Sequence, residues 1–272
     1  MISLQKDEEQ LTKDIMRKVN LSKDKDELEK HVVNLSKTIV SLSKDKEVDI
    51  GSTRAKVVVA LDYSYSMSRL YNNGTVQHTL NKLVPLGLTF DDNGAIDVYL
   101  FENDYKKFDD LTIDNYAGYV DKVIKKSGYT MGGTSYAPVL NGIVFGGTHT
   151  EQVTEKKLFG LIKKTTEKVV ESRPIVDSNQ PTFVIFITDG DNDDKDATTS
   201  IIRALSSKNV FVQFIGIGDN EDFTYLKKLD TIKNRVRDNT GFTKLKSLEK
   251  ATDEELYKSV LEQFAGWLKN EQ

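Results

Sequence analysis

Apolar residues in the first fifty positions fall at helical spacing: Leu28, Val32, Leu35, Ile39 and Leu42 succeed one another at alternating steps of four and three. Such a stripe predicts an amphipathic helix over about residues 25–43, with Asp24 or Asp26 placed to cap it. A competing period of two runs through Ile2-Ser-Leu-Gln-Lys, Val19-Asn-Leu-Ser-Lys, Val33-Asn-Leu-Ser-Lys and Val40-Ser-Leu-Ser-Lys. That alternation suits strands, and the helix is preferred only over 25–43. Residues 1–52 hold no Pro and no aromatic side chain, so they read as an N-terminal, partly helical extension whose stripe docks on the main domain.

From residue 53 onward, short apolar runs alternate with amphipathic segments. Lys56–Leu61, Ile96–Phe101, Phe183–Thr188 and Val210–Ile217 predict strands, the first, third and fourth apolar enough to be buried on both faces. Helices are predicted over 75–88, 115–126, 137–145, 197–207, 222–229 and 253–268. Strands separated by helices of this length imply right-handed crossovers. The fold class is therefore α/β, a doubly wound, mostly parallel sheet flanked by helices over residues 53–270, with ligands expected beyond the carboxyl ends of the strands. Residues 146–180 break the rhythm and read as an insertion. Within it, Leu158, Phe159, Leu161 and Ile162 between lysine pairs predict a helix packed on its own domain, in preference to a membrane-surface anchor.

Candidate chemistry gathers at the strand ends. Asp62-Tyr-Ser64-Tyr-Ser66 leaves the first buried strand with one carboxylate and two hydroxyls on alternate positions. Gly132-Gly133-Thr134 offers another hydroxyl, and Thr188-Asp189-Gly190 a second carboxylate at the end of a second strand. Oxygen donors with only one or two carboxylates suit a hard cation such as Mg²⁺. Asp62, Ser64, Ser66, Thr134 and Asp189 are thus the candidate metal ligands. An ion so held keeps much of its charge, and a Glu or Asp of a protein partner could complete its shell. Tyr63, Tyr65, Tyr71 and Tyr136 are the candidate rim for that partner, since Tyr is favoured at interfaces. Asp191, Asp193, Asp194 and Asp196 read as acidic residues ahead of a helix, placed by its dipole.

Composition narrows the classes. The chain has 272 residues, no Cys and a net charge of -4. Disulfides, thiolate metal sites and Cys nucleophiles are excluded, and no basic footprint for nucleic acid is present. His31, His78 and His149 lie on different predicted elements without ligand spacing, which argues against a zinc enzyme. No window approaches the roughly 20 apolar residues of a membrane span, and the first residues carry neither a basic leader nor an apolar stretch. The expected location is cytoplasmic.

The three loops together resemble the metal-ion-dependent adhesion site (MIDAS) of von Willebrand factor A (vWA) domains. Flanking residues are similar to bacterial vWA proteins of the tellurium-resistance (Ter, TerF-like) stress group: Arg69-Leu-Tyr71, Gly74-Thr-Val-Gln77, Phe90-Asp-Asp-Asn-Gly94, Thr134-Ser-Tyr-Ala-Pro138 and Gln213-Phe-Ile-Gly-Ile-Gly218. The resemblance covers about residues 52–268. It implies a vWA sheet order, one divalent cation (Mg²⁺, with Mn²⁺ or Ca²⁺ as alternatives) and a non-enzymatic interaction role in tellurite and chemical stress. Tyr65 stands where many vWA domains have Gly. Two other functions stay open: a Mg²⁺-dependent phosphoester-processing enzyme on a related sheet, and a structural domain with an empty site.

Overall fold

The computed structural model describes residues 7–19, 25–157, 162–177, 179–218 and 222–271. In chain order the elements are α1 (Glu8–Val19), α2 (Lys25–Lys46), β1 (Lys56–Asp62), α3 (Ser68–Asn72), α4 (Thr75–Phe90), β2 (Asp97–Phe101) and β3 (Tyr105–Lys107). Then follow α5 (Ala137–Phe145), β4 (Gly147–Lys157), β5 (Ile162–Ser172), β6 (Thr182–Thr188), α6 (Lys195–Leu205), β7 (Val210–Ile217), α7 (Thr224–Asp230), β8 (Thr240–Leu245) and α8 (Asp253–Glu271).

Six strands form one sheet in the order β3-β2-β1-β6-β7-β8, parallel throughout except for β3 at one edge. The apolar runs are buried on both faces because alternate residues enter different cores. Val57, Val59, Leu61, Phe183, Ile185 and Ile187 join one core with α4 and α8, while Val58, Ala60, Val184, Phe186, Val212 and Phe214 join the other with α5, α6 and α7. Phe264 of α8 stacks on Phe183 with ring centroids 4.1 Å apart and planes 5° from parallel. The doubly wound arrangement expected from the pattern is the one observed.

The stripe on α2 is buried in full: Leu28, Val32, Leu35, Ile39 and Leu42 belong to the same core as Val57. Leu11, Ile15 and Val19 of α1, a helix the sequence reading did not predict, join them. The two N-terminal helices therefore add a layer outside α4 and α8.

Three expectations change. Residues 115–126 do not form an α-helix: Gly118 takes a φ of +74°, and only a π-turn (Val120–Ile124) and a 3₁₀ turn (Lys125–Ser127) follow. The predicted insertion helix is replaced by an antiparallel hairpin, β4–β5, paired from Gly147↔Ser172 to Lys157↔Ile162. Thr, Val and other β-favouring residues in both arms explain the preference; of the apolar cluster, Ile162 begins β5, and residues 158–161 lie outside the described residues. His149 anchors the hairpin base by stacking on Tyr105, with centroids 4.1 Å apart. Strands β3 and β8 are additional to the prediction, both short and at sheet edges, where polar residues hide the strand period.

Leu35 is fully buried. Leu35→Ala is expected to lower stability by about 2–5 kcal/mol in urea unfolding, the range for truncating a packed Leu. A loss below about 1 kcal/mol would show that α2 lies outside the cooperative core.

Candidate metal centre

Parallel strands β1 and β6 end side by side, which brings the Asp62 and Asp189 loops together. After β1 the chain continues along the sheet for one residue, Tyr63 N–H donating to Phe101 O at 2.7 Å. The Gly132 segment then pairs with it: Ser64 and Gly132 form a parallel bridge, and Tyr65 N–H donates to Gly132 O at 3.2 Å. A Cβ on Gly132 or Gly133 would meet the end of the Glu102 or Asn103 side chain, so glycine lets those two side chains lie against this segment. The third loop joins through Asp193 N–H, which donates to Thr134 O at 2.9 Å.

Side chains tie the loops further. Ser64 N–H donates to Asp62 Oδ1 at 2.8 Å, Ser64 Oγ and Ser66 Oγ are 2.9 Å apart, and Ser66 Oγ donates to Asp189 Oδ1 at 2.8 Å. Thr188 Oγ1 donates to Asp62 Oδ2 at 2.6 Å. Four of the five expected ligands thus share one hydrogen-bonded chain. Thr134 is brought to the same face by its backbone. Asp62 and Ser64 are buried, Thr134 and Asp189 half-buried and Ser66 exposed, so the cluster opens outward from Asp62.

Asp62 is a fully buried carboxylate met by neutral donors. Burial pushes its pKa up to about 6, more than the hydrogen bonds from Ser64 and Thr188 pull it down, and the charge on Asp189 adds to the rise. Five oxygen-bearing side chains, the desolvated Asp62 carboxylate among them, fit a hard divalent cation, whose charge would relieve that penalty.

The four tyrosines require a correction. Only Tyr65, 72% exposed, stands on the surface. Tyr63 is stacked on Tyr129 with centroids 5.6 Å apart. Tyr71 donates to Asp62 O at 3.0 Å, and Tyr136 donates to Gly190 O at 2.7 Å. Tyr63, Tyr71 and Tyr136 are buried and brace the loops from beneath, Tyr63 by its ring and Tyr71 and Tyr136 by hydrogen bonds as well, so they do not stand on the surface as a partner rim.

Two supporting residues escaped the sequence reading. Thr188 lies inside the Thr-Asp-Gly motif yet serves Asp62 through its own hydroxyl. Asp194, attributed to the dipole of the following helix, instead accepts from Tyr136 N–H at 3.0 Å and Ala137 N–H at 2.8 Å, holding the start of α5 against the third loop. The motif spacing could have marked Thr188; only the packing of two loops reveals Asp194.

The sequence model of a family described as the vWA found in the TerF C terminus matches residues 54–272. The chain belongs to this vWA-TerF-like family. Uncharacterized protein YcbR of Bacillus subtilis (strain 168) is 33% identical over 239 residues, 87% of this chain and 86% of that one. Among solved structures, proximal thread matrix protein 1 from the mussel byssus aligns at TM-score 0.50 and 19% identity, covering 78% of this chain and 48% of its own. The chain thus spans about half the length of that protein, and the likeness is one of fold. A form of the same byssus protein with a zinc-occupied MIDAS motif aligns at TM-score 0.46 and 16% identity, covering 86% of this chain and 52% of that one. In the vWA fold of this chain, the Asp62 cluster lies at the carboxyl ends of β1 and β6.

The raised pKa of Asp62 has a definite sign. The folded state holds this proton up to about pH 6, above the ordinary value of 3.8. Without a cation, the stability contributed by the group is present below the ordinary value and falls as pH rises to about 6. In chelator, Asp62→Asn is expected to exceed wild type in stability by up to about 3 kcal/mol at pH 8, the gap shrinking between pH 6 and pH 4 in urea unfolding. A wild type more stable than the variant at pH 8 in chelator would contradict this.

Proposed function

We propose that the chain is a divalent-cation-dependent protein-interaction module rather than an enzyme. The observation that carries this reading is the desolvated carboxylate of Asp62, met only by neutral hydrogen-bond donors and linked through Ser64 and Ser66 to Asp189 on a second loop. Asp62, Ser64, Ser66, Thr134 and Asp189 would hold the ion, with Mg²⁺ preferred for an all-oxygen set and Mn²⁺ or Ca²⁺ as alternatives. When bound, the cation supplies a positive centre able to accept a Glu or Asp of a partner. Around it, Ser64 and Ser66 orient their hydroxyls, Thr188 keeps Asp62 in place, and Tyr65 presents an exposed ring beside the opening.

Several features support the choice. A Ser64 or Ser66 nucleophile would need a general base nearby. The histidines lie elsewhere: His31 and His78 on α2 and α4, His149 at the hairpin base. Among the described residues no helix is long and apolar enough to cross a membrane. Membership of the vWA-TerF-like family supports placing the module in a tellurite or chemical-stress complex in the cytoplasm, with residues 1–52 as an extension of the vWA domain.

Thermal melts of wild type and Asp189→Ala in chelator, Mg²⁺, Mn²⁺ and Ca²⁺ test the reading. An ion bound only by the folded state at a hundredfold excess over Kd adds about 2.7 kcal/mol. Wild type is expected to gain stability with at least one of these cations and Asp189→Ala to gain none. Identical melts in every condition would remove the cation from the function. Turnover of phosphoester or nucleotide substrates that is lost in Asp62→Asn would favour the enzyme instead.

A further inference from the structure

A cleft of about 840 Å³ opens at the amino ends of the strands, at the opposite end of the sheet from the Asp62 centre. Three strands begin beside it. Lys56 N–H donates to Pro181 O at 2.8 Å and Thr182 N–H donates to Asn209 O at 2.9 Å, which holds the segments entering β1, β6 and β7 side by side. Clefts that take small molecules run to roughly 300–1,000 Å³, so the space is of ligand size.

Its lining is one-sided in charge. Arg54 ahead of β1, Lys208 between α6 and β7, and Arg237 between α7 and β8 all border the cleft, and among the described residues no carboxylate does. The chain as a whole carries -4, so this gathering of cations runs against its composition. A concave surface of one sign focuses its field and concentrates counter-ions. Arg54 is oriented from one side, its Nε 3.5 Å from Asp92 Oδ1 and its Nη1 donating to Thr89 O at 3.3 Å. A guanidinium offers five N–H donors, so these contacts set the fork without using all of it. Trp267 of α8 borders the same cleft. Its ring is 4% exposed and packs on Phe211 and Phe264, with centroids 5.7 and 5.9 Å away, and its Nε1–H is buried without a hydrogen-bond partner. An indole nitrogen only donates, so what satisfies it is an acceptor.

We propose that this cleft binds a small phosphate-bearing anion of the diphosphate or nucleotide class. Three cations converging from three segments match a ligand with more than one negative charge. Two of them are arginines, whose planar forks meet phosphate oxygens through paired hydrogen bonds, while Lys208 acts as a point charge. With no lining carboxylate, the cleft has nothing to hold a cation. Pro181, Leu268 and the edge of Trp267 add an apolar wall beside the charges, room for a base or sugar next to the phosphates. None of these residues belongs to the Asp62 centre, so the two sites are separable.

Trp267 is the only tryptophan of the chain, so its fluorescence reports from this cleft. The full chain is titrated with pyrophosphate and with ADP in EDTA, which keeps either probe from bridging through a cation at Asp62. A saturable change in tryptophan fluorescence is expected. Kd should weaken at least about tenfold in Lys208→Gln and in Arg237→Gln, the loss of one charge-assisted contact, with circular dichroism verifying each fold. Lys250→Gln, beyond the carboxyl end of β8, should leave Kd unchanged. Tighter binding of ADP than of pyrophosphate would assign a nucleotide, and equal binding an inorganic diphosphate. Titrations that saturate with neither probe, a Kd unmoved by both cleft substitutions, or an equal loss in Lys250→Gln overturns the proposal.

Discussion

A carboxylate taken out of water at the end of the central strand is the constraint around which the rest of the candidate centre is built. Asp62 sits where β1, flanked by β2 and β6, leaves the sheet, and its exposure is nil. In that position a charge is unfavourable unless something compensates it. The protein supplies two neutral donors, Ser64 N–H and the Thr188 hydroxyl, and arranges further oxygens on the open side. Each neighbouring choice follows from this. Gly132 and Gly133 leave room for the Glu102 and Asn103 side chains, Tyr71 and Tyr136 pin the loop backbones, and Asp194 holds the start of α5 against them.

That constraint depends in turn on a sheet covered on both faces. Alternate residues of β1, β6 and β7 feed two cores, and one of these cores extends outward through α4 and α8 to the N-terminal helices. The extension is therefore packed as part of the body that supports β1. It also contributes His31, Asn34 and Glu27 to a polar cluster shared with α4 and α8, on the helical layer rather than at the strand ends.

The departures from the sequence pattern have local causes. Residues 115–126 carry helical spacing, but the left-handed turn at Gly118 and the capping of Thr112 N–H by Asn115 interrupt it. The insertion holds a Lys-flanked apolar cluster that suggests a helix, yet its two arms find each other as cross-strand partners, a pairing that depends on residues up to 25 positions apart. Strand β8 contains Gly241 and polar residues because an edge position leaves it half solvated. The tyrosines were legible as neighbours of the centre, but their orientation was not, since a phenol can face solvent or a buried carbonyl with equal ease at the level of composition.

The residue pattern by itself determined the doubly wound sheet, the docking stripe of α2, the order of the three loops and the oxygen-donor identity of the candidate ligands. These follow from periodicity and from side-chain chemistry, which are properties of short stretches of chain. Tertiary structure alone decided which tyrosines are buried, that Thr188 and Asp194 serve the loops, that the insertion is a hairpin, and that His31 and His78 meet. All of these rest on contacts between distant segments, whose free energy depends on what the folded chain has desolvated and not on any local spacing.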